Sequence, residues 1–457
     1  MGRSGGRRAR ASRRGRGDRC GAGPGARHRA RRDPRRSTPH RLPRRRRRRP
    51  WHGAPGRDRR RAALHRGPPV TVDLDEALRL VHAVGAAVSL PAETVGLGDA
   101  DGRVLAADVI AATHLPVTDT AAMDGWAVAG DGPWSIDGFV RMGDPPGVLS
   151  AGRARVVTTG GAVPRGTSAV LRSERGRERD GVLTADPSTA PAPGTDVRRA
   201  GETVRVGAVV ASKGARVTPA VIAASAATGV DSLEVVAQPR VAVVLVGDEI
   251  VQRGVPGPGQ VRDALGIAVP DLLRAGGTVV ESVEHVADDP DALRQAIDRS
   301  GVHLVVTAAA TGHGAGDHLS RALDAASAHV EFRGVAMRPG HPTLLACRPD
   351  GVPVLGLPGN PFAAIVALTV LGLPLLAGAL GTAAPQRRRR IAAEPFTPGA
   401  DGVRVVPVCE ADDGMRALEQ GPSVVSGAVH ADHLAFVSAG GVAAGGSLAV
   451  ISLPWRR

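Results

Sequence analysis

Tyrosine is absent from this 457-residue chain, and Lys213 is its only lysine. Both gaps fit an Arg/Gly/Ala/Pro-biased genome. Only three cysteines occur, Cys20, Cys347 and Cys409. They lie far apart, without pairing or metal-ligand spacing, which excludes a structural zinc site and points to a reducing cytoplasm. No apolar core of a signal sequence precedes residue 70, so secretion is not expected. Neither a P-loop nor a Rossmann glycine fingerprint appears, and no Cys–His or Ser–His–Asp arrangement is evident. Covalent catalysis is therefore not expected, and electrostatic binding of an anionic ligand is favoured.

Charge divides the chain in two. Residues 1–70 hold 26 Arg against 3 Asp, a balance of +23 within a total of +15, so the remainder carries −8. Arg44 to Arg49 form an unbroken run. Such a segment cannot bury a core and is expected to be disordered. Arg neutralises phosphate, so a nucleic-acid-binding arm is one reading. The favoured reading of residues 1–69 is a non-functional extension from a start placed too early, with nucleic acid not expected as a partner.

The remaining 387 or so residues suffice for two to four domains. Residues 72–84 have helical apolar spacing, with Asp73 as the cap. Residues 102–106 open a short helix or strand. Residues 112–200 are rich in Gly, Pro and Val with short β-like runs at 125–128, 154–157 and 168–171, which predicts a small β domain. Residues 203–227 read as strand, turn and a small-residue helix. From Arg240 strands (241–246, 278–286, 303–308, 352–357) alternate with helices (261–275, 289–300, 318–328), predicting a parallel, doubly wound α/β sheet. Residues 362–380 are uncharged and long enough to span a membrane. Gly372, Pro374 and the preceding strand favour a buried helix instead, so no membrane partner is expected. Residues 387–390 read as a linker, and β alternation at 403–406 and 448–451 predicts a C-terminal β domain.

Ligands of doubly wound sheets sit at the carboxyl ends of strands. Leu357-Pro358-Gly359-Asn360-Pro361 lies at such an end. Asn360 suits an N-cap and Pro361 the first helical position, so free N–H groups there can receive an anion; an ordinary strand-to-helix turn is the alternative. Gly247-Asp248-Glu249 places Asp248 where a Mg²⁺-binding carboxylate belongs in a phosphate enzyme, or where a loop acid caps a turn. Residues 309–317 form the third such loop. Asp124 follows small residues in a turn and suits a metal or ligand, or merely the turn itself. Thr158-Thr159-Gly160-Gly161 offers hydroxyls and amides to an anion, or forms a plain turn. Arg338-Pro339-Gly340-His341-Pro342 carries two possible cations on a stiff loop.

These motifs, taken in order, resemble the molybdopterin molybdenumtransferase family of the MoeA and gephyrin E-domain type over residues 70–455. Gly102-Arg103-Val104-Leu105-Ala106 with Leu115-Pro116 resembles the family's GRVLA…LP, and Ala122-Met123-Asp124-Gly125-Trp126-Ala127-Val128 its AMDGYAV. Thr159-Gly160-Gly161-Ala162-Val163-Pro164-Arg165-Gly166 resembles TGAPVPEG. Gly201-Glu202, Val246-Gly247-Asp248-Glu249-Ile250, Gly259-Gln260-Val261-Arg262-Asp263 and the Pro-Gly-His-Pro and Pro-Gly-Asn-Pro turns continue the series. The resemblance implies a MogA-like doubly wound molybdopterin-binding domain at 237–382. Around it would lie a linking domain (70–111 and 206–236), a β-rich domain (112–205) and a C-terminal β domain (383–457). It implies insertion of molybdate into adenylylated molybdopterin with Mg²⁺ and release of AMP. A cytoplasmic homodimer, working alongside a molybdopterin adenylyltransferase, is implied as well. Asp124, Thr159 and Asp248 would be catalytic, with Asp248 and Glu249 holding the metal. Thr311, Gly314, Asp317, Arg338, His341, Pro358, Gly359, Asn360 and Pro361 would bind the pterin ligand. Asp124 and Thr159 would close the cleft from the other subunit.

Several family positions are altered. The SGGVSxG loop reads Ala308-Ala309-Ala310-Thr311-Gly312-His313-Gly314, so two glycines are alanines, which obstructs close backbone approach to phosphate. The serine expected after Asn-Pro is Ala363, the lysine of Pro-Gly-Lys-Pro is His341, and the acid after Gly-Glu is Thr203. Val221 replaces a Glu, and Leu265 an Asn. The alternative expectation is therefore a catalytically weak or inactive molybdopterin-binding paralogue, a carrier or regulator.

Overall fold

The computed structural model describes residues 71–308 and 317–455, apart from 401, 422 and 424. The Arg-rich leader and its alternative readings lie outside the described residues.

Leu74–Ala86 is a helix whose start is fixed by Asp73, which accepts from the Glu76 amide at 2.7 Å. Its apolar stripe, including Ala77 and Val81, packs on the Leu373–Ala379 helix of the α/β domain. The two backbones touch at glycines: a Cβ on Gly378 would stand 2.8 Å from the Ala86 amide nitrogen and closer still to the His82 carbonyl. The linking region pairs Ala92–Gly96 with Ser232–Val236 and Val109–Ile110 with Val209–Ala211, flanked by the Pro219–Ala227 helix. Residues 102–106 form neither helix nor named strand. They make isolated bridges to Arg216 and Val235 instead.

The β-rich domain is a six-stranded sheet in the order Ala169–Arg172, Gly125–Val128, Arg153–Val157, Trp134–Phe139, Val182–Ala185, Gly176–Arg179. Gly125 pairs with Val157, so the residues just before one strand and just after the other are neighbours.

The α/β domain holds a second six-stranded sheet: Val279–Val286, Arg240–Val246, Leu304–Ala308, Pro353–Leu357, Leu344–Cys347, His329–Arg333. The first four strands are parallel. Leu344–Cys347 runs antiparallel to both its neighbours, so the sheet is mixed rather than wholly parallel. Only five residues join it to Pro353–Leu357, too few for a parallel crossover. Side chains alternate between two cores, as the strand period demands. Val241, Val243 and Leu245 pack against the Leu265–Ala275 and Pro361–Ala379 helices on one face. Ala242, Val244 and Val246 meet Leu293, Ile297, Leu319 and Leu323 on the other. The apolar 361–379 stretch is a buried core helix.

The helix expected over 261–275 begins only at Leu265. Val261–Arg262 instead pairs in parallel with Ile250–Val251, and Asp263 accepts from the Gly266 amide at 2.7 Å to start the helix. The expected linker at 387–390 is a strand, Arg388–Ile391, at the edge of the C-terminal sheet. Arginines suit such an edge because its pairing uses backbone groups alone and exposed charge blocks further pairing. The other edge of that sheet is Met337–Arg338, which pairs with Val403 and Arg404.

Candidate functional site

Leu245 pairs with Ala308, and Ala308 with Leu357, in one parallel register. Gly247-Asp248-Glu249 and Pro358-Gly359-Asn360-Pro361 therefore leave the sheet at its carboxyl edge, on either side of the strand that ends at Ala308. The sheet also reverses direction of winding here. The chain goes from Arg240–Val246 to one neighbour, Val279–Val286, and then crosses to the other, Leu304–Ala308. A crevice at that switch point is the usual ligand position in such folds. Thr311 and Gly314, with the Ala309-Ala310 pair, lie outside the described residues.

Asp248 and Glu249 are exposed, and the Asp248 amide faces the Asp288 carboxylate at 3.4 Å. Gly359 and Asn360 are exposed above buried Pro358. Asn360 holds the N-cap position with Pro361 behind it, yet its side chain does not cap the helix. Its Oδ1 accepts from Ser423 Oγ at 2.9 Å, a contact from the C-terminal domain. The first amides of the helix are thus left uncapped by the residue best suited to cap them, which keeps them open to an anion.

Asp317 serves the next helix, accepting from the Ser320 amide at 3.1 Å as the cap of His318–Ala325. Arg338 is exposed and is followed by a cis peptide to Pro339. His341 is half-buried and donates from Nδ1 to the Val335 carbonyl at 2.9 Å, which leaves Nε2 as its other ring nitrogen. Asp124 and Thr159 meet directly: Asp124 Oδ1 accepts from the Thr159 amide at 2.7 Å and its hydroxyl at 3.0 Å. The amide, and then the hydroxyl, hold the Asp124 carboxyl below its usual range. Among the described residues no hydrogen bond or ion pair joins Asp124 or Thr159 to the carboxyl-edge loops.

Sequence reasoning missed two ties. Asp263, nearly buried, binds His285 Nε2 through Oδ2 at 2.9 Å while Oδ1 caps the following helix. This fixes the far end of the loop that begins at Gly247. The only sequence signal was the Arg262-Asp263 motif; His285 lies 22 residues on, within an unremarkable strand. Asp119 accepts from the Ala200 amide at 2.8 Å and from Arg199 at 2.7 Å. That amide first, with Arg199 beside it, lowers the Asp119 carboxyl.

Comparison with known proteins places this geometry. Residues 72–229 match the MoeA N-terminal region (domain I and II), and residues 242–378 match a probable molybdopterin binding domain. Molybdopterin molybdenumtransferase 2 of Mycobacterium tuberculosis is 35% identical over 318 residues, covering 65% of this chain and 78% of that protein. The molybdopterin molybdenumtransferase of Synechococcus elongatus is 33% identical over 320 residues, 66% of this chain and 78% of that protein. A crystal structure of the MoeA molybdopterin biosynthesis protein from Pyrococcus horikoshii is 26% identical, covering 84% of this chain and 99% of its own with a TM-score of 0.69. Fold and site together define a multidomain α/β protein of molybdenum cofactor biosynthesis. The chain belongs to the molybdopterin molybdenumtransferase family.

Proposed function

We propose that this chain is a molybdopterin molybdenumtransferase that inserts molybdate into adenylylated molybdopterin and releases AMP. The observation that carries the reading is the parallel register that brings the Asp248 loop and the Pro358–Pro361 turn to the same sheet edge, flanking the end of the Leu304–Ala308 strand. The family's own substrate class agrees with it. Uncapped amides just after Pro361 receive an anionic oxygen of the ligand, aided by the positive helix end. Arg338 and His341 border the pterin side.

Among the described residues no group of three or more His, Cys, Asp or Glu forms a ready metal cage. Mg²⁺ does not need one, since one or two carboxylates plus waters and substrate phosphates suffice. Asp248 and Glu249 are such a pair of hard oxygen donors, and they fit. When bound, Mg²⁺ neutralises charge on the phosphates. Asp124, kept ionised by Thr159, supplies a fixed carboxylate with one oxygen unused by that pair.

That no hydrogen bond or ion pair joins Asp124 or Thr159 to the carboxyl-edge loops among the described residues agrees with a homodimer in which the partner's β-rich domain closes the cleft. A cytoplasmic setting beside a molybdopterin adenylyltransferase follows from the substrate. Molybdate- and Mg²⁺-dependent AMP release from molybdopterin-AMP tests the reading. Asp248→Asn should slow it about a hundredfold if an electrostatic contact to the reacting phosphate is lost. Tight binding without AMP release would favour the carrier alternative, and neither binding nor release would overturn both.

A further inference from the structure

A cavity of about 160 Å³ lies at the seam between the linking and α/β domains. Residues 101–104, Arg216 and Val236 form one side, and Gln238, Arg274, Ala275 and Gly277 the other. Gln238 and Gly277 immediately precede the parallel strands Arg240–Val246 and Val279–Val286, so the cavity opens at the amino edge of the sheet. The carboxyl-edge loops lie a full seven-residue strand away, roughly 20 Å. This cavity is separate from the site described above.

Three guanidinium groups line it, against one carboxylate, Asp101. Arg103 is held rigidly with its side chain 12% exposed, pairing with Glu93 and donating to the Val236 carbonyl at 2.9 Å. Both contacts use Nη2, so its Nε and Nη1 donate to nothing among the described residues. Arg216 is exposed on the wall and makes no hydrogen bond or ion pair among the described residues. Arg274, in the last turn of its helix, is steadied by Asp271 at 2.8 Å. A cavity of this size takes several waters but falls short of the several hundred Å³ typical for nucleotide-sized ligands.

We propose that this cavity binds a small tetrahedral oxyanion of the phosphate, sulfate or molybdate type. Arg103 and Arg216 hold it from the linking domain and Arg274 from the α/β domain. Guanidinium forks match such oxyanions in geometry as well as charge. The bound anion bridges the seam beside Gln238, whose Nε2 donates to the Gly277 carbonyl at 3.3 Å within the α/β domain. It therefore stiffens the link through which the N-terminal region is positioned. This inference does not depend on the transferase reading.

Titration calorimetry of the full-length chain with sodium sulfate, phosphate and molybdate in turn tests it. The Arg-rich leader attracts anions equally in parent and variant, so the difference between them isolates the cavity. Arg216→Ala, at an exposed position, should weaken binding about tenfold or more. Asp101→Asn should tighten it, and the tightest of the three salts identifies the ligand. Molybdate held at the carboxyl-edge site is insensitive to Arg216→Ala, so isotherms unchanged from the parent's in that variant count against the cavity. Absence of saturable binding, or weaker binding in Asp101→Asn, would likewise overturn the proposal.

Discussion

Gly378→Ala is expected to destabilise the protein although alanine is the better helix former. In an open helix the change gains up to about 1 kcal/mol. Here the new methyl would stand 2.8 Å from the Ala86 nitrogen and closer to the His82 carbonyl, where ordinary contact needs 3.4 Å or more. Both obstacles are backbone, so no rotamer relieves them. The Leu74–Ala86 and Leu373–Ala379 helices must separate, loosening Val81 against Leu375 and Leu376 in the shared core. Overpacking costs up to about 3 kcal/mol, leaving a net loss of about 2 kcal/mol after the propensity gain. That corresponds to a fall in thermal midpoint of roughly 4–8 °C for a large domain. Gly98→Ala is the control, because an added Cβ there meets nothing within 4 Å. Circular dichroism melting of both variants decides the matter. A Gly378→Ala midpoint equal to or above the parent's would refute the claim that the helices meet backbone to backbone.

Other expectations follow from the site and its surroundings. His285→Ala removes the partner of nearly buried Asp263 and should cost about 1–3 kcal/mol in urea unfolding, with faster amide exchange over residues 247–263. Unchanged exchange there would show that His285 does not brace the loop. Because the folded-state pKa of Asp124 is depressed, its bond to Thr159 contributes fully above the unfolded-state pKa and is lost as pH falls through the lowered value. A carboxyl NMR titration of Asp124 at or above the usual range would contradict this, and Asp124→Asn should impair AMP release. Burial first, then Glu331 nearby, pushes the Cys347 thiol up to about 11. At pH 8 only about a thousandth is then thiolate, so peptide mapping should find Cys347 alkylated far more slowly than a free thiol.

Strands with strong apolar runs, such as Arg240–Val246 and Pro353–Leu357, were legible because burial on both faces leaves an unbroken signature. The Asp73 cap and the buried character of the 361–379 helix were legible for similar local reasons. Arg388–Ile391 was not, since an edge strand is held by backbone bonds that leave no mark on side-chain type. The mixed sheet was hidden too, because strand direction depends on connection length and pairing rather than composition. Asp124 and Thr159 were both named from sequence, and the Gly125–Val157 register explains why they meet. Asn360 holds the N-cap position its local context suggested, but Ser423, distant in sequence, claims its side chain. Asp263 with His285 escaped for the same reason, since a tertiary ion pair has no spacing to read.

The Met337–Arg338 strand has an implication for how this molecule can be taken apart. Its residues precede most of the α/β domain's final third, yet they complete a sheet built almost wholly from residues beyond 387. A chain trimmed near residue 382 would lose the Val403–Arg404 partner of the Met337–Arg338 strand. Exchange of the terminal module between relatives would likewise swap that strand's partner and the hydroxyl that engages Asn360. The tail is therefore no detachable appendage, and its sequence can change independently only where it avoids those two seams.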